Sequence, residues 1–149
     1  MRVILFRGRA TKDYTEHYIK KGDWLFGNLI IEKSQDANGY YIKEIESPFR
    51  TSKVDPRTVG QHTGRWDKNN VKIFEGDICK YRYGASTYIG KVVFNTRACI
   101  FEMRRTEIVG FHGERGTRAQ LLNHIDKVEV IGNIYDNPDL LEVVEGRET

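Results

Sequence analysis

The architecture follows from DPRTVGQHTGRWDKNNVKIFEGDICKYRY, Asp55 to Tyr83. This stretch holds Gly60 and Gly64, an Asp67-Lys68-Asn69-Asn70 turn, the apolar run Val71 to Phe74, and Glu75-Gly76-Asp77 leading into a strand at Ile78 to Tyr83. Gly60 and Gly64 permit backbone geometry that a Cβ forbids. Glu75-Gly76 reads as a bend, and the Asp77 carboxylate is placed to tie the turn's amides. The stretch is a structural corner where an N-terminal arm meets a small barrel. It carries no complete catalytic motif.

Upstream, Met1 to Gly8 (MRVILFRG) is rich in strand formers. Arg9 to Gly22 is polar, a loop or a single helical turn, with Tyr14 and Tyr18 spaced to share a helix face. Asp23 to Lys33 and Tyr40 to Glu46 read as two strands, with Asn38-Gly39 supplying the positive φ of a tight hairpin. Ser47 to Pro56, with prolines at both Pro48 and Pro56, reads as a connector. It divides residues 1–55, a strand and hairpin subdomain, from residues 56–149.

Downstream, Ile78 to Tyr83, Tyr88 to Phe94 and Ala98 to Arg104 form a three-stranded meander, turning at Asn95-Thr96. Glu107 to Arg118 is a loop with Gly110, Gly113 and Gly116, and Thr117 to His124 suits a short helix. Val128 to Ile134 is a last strand, with Gly132 where another backbone approaches. Asn137-Pro138 then opens a helix whose Leu140, Leu141 and Val144 share one face. Short strands separated by turn signals argue for a small barrel or a sandwich, in a mainly-β (α+β) class.

The chain has 149 residues, 39% hydrophobic and 30% charged, which fits a folded globular protein. A net charge of +3 does not by itself imply nucleic-acid binding. Cys79 and Cys99 are too few for a disulfide framework and read as packed thiols in a reducing cytoplasm. No apolar run is long enough to span a membrane.

Val59-Gly60-Gln61-His62-Thr63-Gly64, Asp67-Lys68-Asn69, Ile73-Phe74-Glu75-Gly76-Asp77-Ile78 and Val130-Ile131-Gly132-Asn133-Ile134-Tyr135-Asp136-Asn137-Pro138-Asp139-Leu140-Leu141 resemble, in this order, the YopX-like proteins of phages and prophages. Leu5-Phe6-Arg7 and Trp24-Leu25-Phe26-Gly27 also fit. The resemblance implies an SH3-like barrel in the C-terminal half, an α+β or β-rich N-terminal part and self-association. It implies no activity.

The expected structural motif is therefore Gly60, Gly64, Glu75, Gly76, Asp77, Gly132, Asn133 and Pro138. Trp24, Phe26, Tyr40 and Tyr41 on the hairpin are either local core or an oligomer contact, because a lone hairpin buries little. Arg97, Arg104, Arg105, Arg115 and Arg118, with Tyr81, Tyr83, Phe101 and Phe111, offer a basic and aromatic loop face for single strands of nucleic acid. His62, Asp67, Glu75 and Asp77 are read as turn and capping residues, against an alternative hydrolase or nuclease site at His62, Glu75 and Asp77. No paired-His or CxxC spacing points to a metal, and the loop glycines lack the Gly-Lys-Ser/Thr of a phosphate loop. The expected object is a cytoplasmic, non-enzymatic phage or prophage accessory protein without a cofactor. It forms a homo-oligomer and binds a phage or host protein, or nucleic acid.

Overall fold

The computed structural model describes residues 1–35, 38–47, 50–83, 86–105 and 127–142. The chain forms two compact units, Met1–Gly64 and Arg65–Thr149.

In the first unit the strands are β1 (Phe6–Arg9), β2 (Trp24–Lys33), β3 (Asn38–Glu44), β4 (Thr51–Val54) and β5 (Gly60–Trp66), in the antiparallel order β4-β3-β2-β1-β5. Alternation sends Leu25, Ile42 and Val54 to one face, where they pack with Ala10 and Ile19. Full burial of each large aliphatic side chain contributes about 1.5–3 kcal/mol. The sheet curls until β4 meets the chain leaving β1. Asp55 N–H donates to the Arg9 carbonyl at 2.9 Å, and Thr11 N–H donates to the Lys53 carbonyl at 3.1 Å. Lys53 N–H donates to the Tyr14 hydroxyl at 2.7 Å. These bonds occupy the outer edge of β4, which would otherwise be open to pairing. The 3-10 turn Pro56–Thr58 is capped by the Asp55 carboxylate, which accepts from Arg57 N–H. The Thr58 hydroxyl accepts from Arg9 N–H, fixing that turn to the end of β1.

The end of β5 passes into the second unit, where its neighbour is β6 (Lys72–Phe74). The remaining elements are β7 (Asp77–Tyr83), β8 (Ser86–Asn95), β9 (Ile100–Arg105), β10 (Val128–Asn133) and the short helix α1 (Asp139–Glu142). The sheet order is β10-β7-β8-β9, all antiparallel. Ile73, Cys79, Tyr81, Val92, Met103 and Val128 form its core.

Two buried carboxylates organise this unit. Asp67, 7% exposed, accepts from Asn69 N–H and Val71 N–H at 2.8 and 2.9 Å through Oδ1. Its Oδ2 accepts from Val130 N–H at 2.9 Å. Lys68 N–H donates to the Val128 carbonyl beside it. The outer edge of β10 is thus capped by the Asp67 turn. Asp77 accepts from Phe74 N–H at 2.8 Å across the Glu75-Gly76 bend. Gly76 takes φ +83°, where a side chain would be strained, and its peptide bonds both ways: N–H to Val92 O, carbonyl from Ile134 N–H. On the outside of the sheet the Glu129 carboxylate receives Lys68 Nζ at 2.8 Å and Lys80 Nζ at 3.2 Å. The Lys68 hydrogen bond, and after it that of Lys80, holds the Glu129 carboxyl below its usual 4.5.

The mainly-β class, antiparallel pairing and short C-terminal helix agree with the sequence. Closure into a barrel does not: among the described residues the second sheet ends at β10 and β9, and Asp67 and Lys68 take the β10 edge that closure would need. Four local readings are also corrected. Residues 47–56 include a strand, β4, whose Ser52 and Val54 are buried. Asn38-Gly39 is not the hairpin turn but pairs in register with Lys33 and Glu32. Tyr14 and Tyr18 share no helix face, since only Thr15–His17 form a 3-10 turn and Tyr18 is exposed at φ 56°. Cys99 is not packed in a strand but lies exposed in the β8–β9 turn at φ 54°. The loop at 107–118, the helix at 117–124 and Val144 lie outside the described residues.

Asp67→Ala leaves three amides without their acceptor, and we expect it to destabilise the second unit by about 3 kcal/mol or more in urea unfolding. Asp67→Asn keeps one carbonyl oxygen and should cost less; equal losses, or none, would contradict the bridging role. By NMR titration Glu129 should show a midpoint below 4.5, returning toward it in Lys68→Ala with Lys80→Ala. Because the folded value is the depressed one, the pair's small stabilisation is present above the unfolded value and lost as pH falls through the folded one. A wild-type midpoint at or above 4.5 contradicts the contact.

Candidate interaction surface

The register of the first sheet sorts its hairpin residues between two faces. Arg7 pairs with Phe26 and Arg9 with Trp24. Asn28 pairs with Lys43 and Ile30 with Tyr41, and these continue to Thr51 and Lys53. Directly opposed residues share a face, so Trp24, Phe26, Ile30 and Tyr41 lie with Arg7, Arg9, Lys43 and Lys53 on the side away from the core. Tyr40 does not belong with them. It pairs with Val54 and packs against the inner cluster, so its place in an oligomer contact is corrected to local core.

Trp24 is held by cations. The Arg7 guanidinium lies 4.7 Å and the Arg9 guanidinium 5.0 Å from its ring centroid. Such stacking fixes the rings and positive charges together. Phe26, beside it, is 46% exposed. Ile31 and Ile45 add exposed aliphatic surface elsewhere on the same unit.

The arginine and aromatic set of the second unit is not brought together as expected. Tyr81 is 9% exposed, in the core, stacked on Tyr88 at 6.3 Å between centroids. Phe101 is also buried and meets Phe94 edge-on at 5.0 Å. Neither ring is available to a base, because alternation from Cys79 and Met103 turns them inward. Arg97 is exposed in the β8–β9 turn, its N–H donating to Asn95 Oδ1. Arg104 lies within β9, its Nε donating to buried Glu102 at 3.1 Å. The backbones of Tyr83 and Arg105 pair with Ser86 and Gly90. Arg115, Arg118 and Phe111 lie outside the described residues.

In the proposed acid–base corner the two aspartates, Asp67 and Asp77, hold backbone amides. His62 is 3% exposed on β5, and its N–H donates to the Leu5 carbonyl. Glu75 sits half-buried in the bend. Among the described residues no three His, Cys, Asp or Glu side chains gather as a metal site.

The other motif residues act on the backbone. Gly64 takes φ +82°, whereas Gly60 is an ordinary strand residue opposite Arg7, a correction to its expected role. Gly132 follows a register shift in β10, and a Cβ there would lie 2.5 Å from Asn137 Oδ1. The close neighbour is thus a side chain and not another backbone. Asn137 Oδ1 accepts from Asn133 N–H, and Asn133 Oδ1 accepts from Tyr135 and Asp136 N–H. Pro138 then opens α1, its carbonyl accepting from Leu141 N–H. Sequence reasoning missed the roles of Arg7, Arg9, Glu102 and Glu129. The partners of Arg7, Arg9 and Glu129 lie on other elements, so no local spacing marks them, whereas Arg104 lies two residues from Glu102 on the same strand.

Among the described residues no helix is long and apolar enough to cross a membrane. Among solved structures the chain is similar to protein EF1440 from Enterococcus faecalis, at 22% identity over 95% of this chain and 99% of that one, with a TM-score of 0.48. No curated protein matches it. Residues 7–142 match the family described as YopX protein. Nearly the whole of the described chain lies within that match, and the chain belongs to the YopX family.

Proposed function

We propose that the chain is a non-enzymatic accessory protein of phage or prophage origin, acting in the bacterial cytoplasm by self-assembly and partner binding. The observation that supports this reading best is the outer face of the β2–β3 hairpin. There Phe26 is 46% exposed beside a Trp24 already fixed by two arginines, with Ile30 and Tyr41 on the same side. A pre-ordered aromatic surface loses little side-chain freedom on docking, and aromatic residues with arginine suit an interface centre. The hairpin supplies the contact between copies, and the second unit carries the partner-binding face. A hydrolase or nuclease reading at His62, Glu75 and Asp77 has less support, because the Asp77 carboxylate caps a turn.

Light scattering on the whole chain at micromolar concentration should report a mass above that of one chain. Phe26→Asp should shift it to the monomer with unchanged circular dichroism. In a symmetric pair the ring counts twice, at about 1.5–3 kcal/mol each, so Kd should rise at least roughly a hundredfold. A wild type that is strictly monomeric removes the assembly claim.

A further inference from the structure

We propose that the outer face of the second unit's sheet binds the phosphate backbone of nucleic acid without regard to sequence. This inference stands on a different unit from the proposed self-association and does not depend on it.

The face is read from register. With Cys79, Tyr81, Val92 and Met103 turned inward, Lys80, Arg82, Lys91, Glu102 and Arg104 turn to the other side, where Ile78 and Glu102 are buried and Arg82, Lys91 and Arg104 are exposed, and Glu129 pairs with Lys80 on the same side. Lys68 reaches this face through its bond to Glu129. Lys127, exposed, stands immediately before β10. Among the described residues both carboxylates on these strands are already engaged. Glu129 Oε2 is shared by Lys68 and Lys80, and Glu102 receives Arg104 Nε and Asn95 Nδ2. Lys91 and Arg82, both exposed, make no ion pair among the described residues. Lys91 also stands directly opposite Arg104. Directly opposed residues have Cβ atoms about 5 Å apart, so an anion can be reached from both side chains.

The spacing favours a linear polyanion. Outward residues on one strand repeat at about 7 Å and neighbouring strands lie about 4.8 Å apart, so the cations form a fixed lattice on rigid strands. Nucleic acid is favoured over an anionic membrane because, among the described residues, the strand-borne isoleucines and valine on this side, Ile78, Ile89, Val93 and Ile100, are buried or half-buried, leaving no wedge to enter a bilayer. The inward turn of Tyr81 and Phe101 removes base stacking by those rings, so the contact is to phosphate and its affinity is electrostatic.

The test is fluorescence anisotropy with a labelled oligothymidylate and a mixed-sequence duplex, at 50 and 200 mM salt. With about four phosphates neutralised, affinity should fall roughly fiftyfold for the single strand and roughly a hundred and fiftyfold for the duplex between the two. Lys91→Glu with Arg82→Glu and Lys127→Glu should abolish binding at 50 mM. The same charge change on exposed Lys12, Lys20 and Lys21 of the first unit should leave most of it. Phe26→Asp should bind as wild type does, even where it breaks assembly, which separates this inference from the previous one. Circular dichroism confirms that each variant folds, with the milder Lys91→Gln, Arg82→Gln, Lys127→Gln set as a replacement where reversal does not. Absence of salt-dependent binding, equal loss in the Lys12, Lys20 and Lys21 variant, or binding to anionic vesicles but to neither oligonucleotide would overturn the proposal.

Discussion

A single carboxylate, that of Asp67, connects parts of the second unit that the chain itself keeps far apart. Its two oxygens close the β5–β6 turn through Asn69 and Val71 and, 63 residues on, hold Val130 at the edge of β10. A carboxylate this deeply buried is costly unless its lone pairs are used, and three amides use them. The arrangement therefore has little tolerance. It specifies which strand lies beside the turn, which edge is capped and where the sheet stops. Asp77 repeats the device on a smaller scale across the Glu75-Gly76 bend.

That constraint also places the surfaces. With β10 pinned, the alternation of β7, β8 and β9 sends Cys79, Tyr81, Val92 and Met103 inward and Lys80, Arg82, Lys91 and Arg104 outward. In the first unit the curl of β1 to β4 around Ile42 and Val54 presents Trp24 and Phe26 on the opposite side. Each unit thus offers one strand-borne face, aromatic with arginine in the first and cationic in the second. The self-association proposed for the first unit and the anion contact proposed for the second each rest on one of these faces.

Much of the strand framework was legible because its signals are local. Asn70 takes φ 62°, a conformation Asn tolerates, and Gly76 sits at φ 83°, so both bends were marked by residue type. The β7–β8–β9 meander follows from alternation between Asp77 and Arg105. Other features had no local mark. β4 is four residues long between Pro48 and Pro56, too short for its Ser52/Val54 alternation to outweigh the prolines. Gly39 resembles a turn glycine, yet a Cβ there would meet the Tyr41 ring at 2.9 Å. Tyr40 and Tyr41 are neighbours in sequence and opposites in space, and register alone distinguishes them. The clamp of Arg7 and Arg9 on Trp24 joins two strands, and composition could not show it.

Native-state hydrogen exchange tests the central claim most directly, because it reads the Asp67 amides one by one. If the carboxylate holds the turn and β10 together, the Asn69, Val71 and Val130 amides exchange as one protected group, and their protection matches that of the β7–β8 pairs. Val130 exchanging at the rate of an open edge, while β7 and β8 stay protected, would contradict the account.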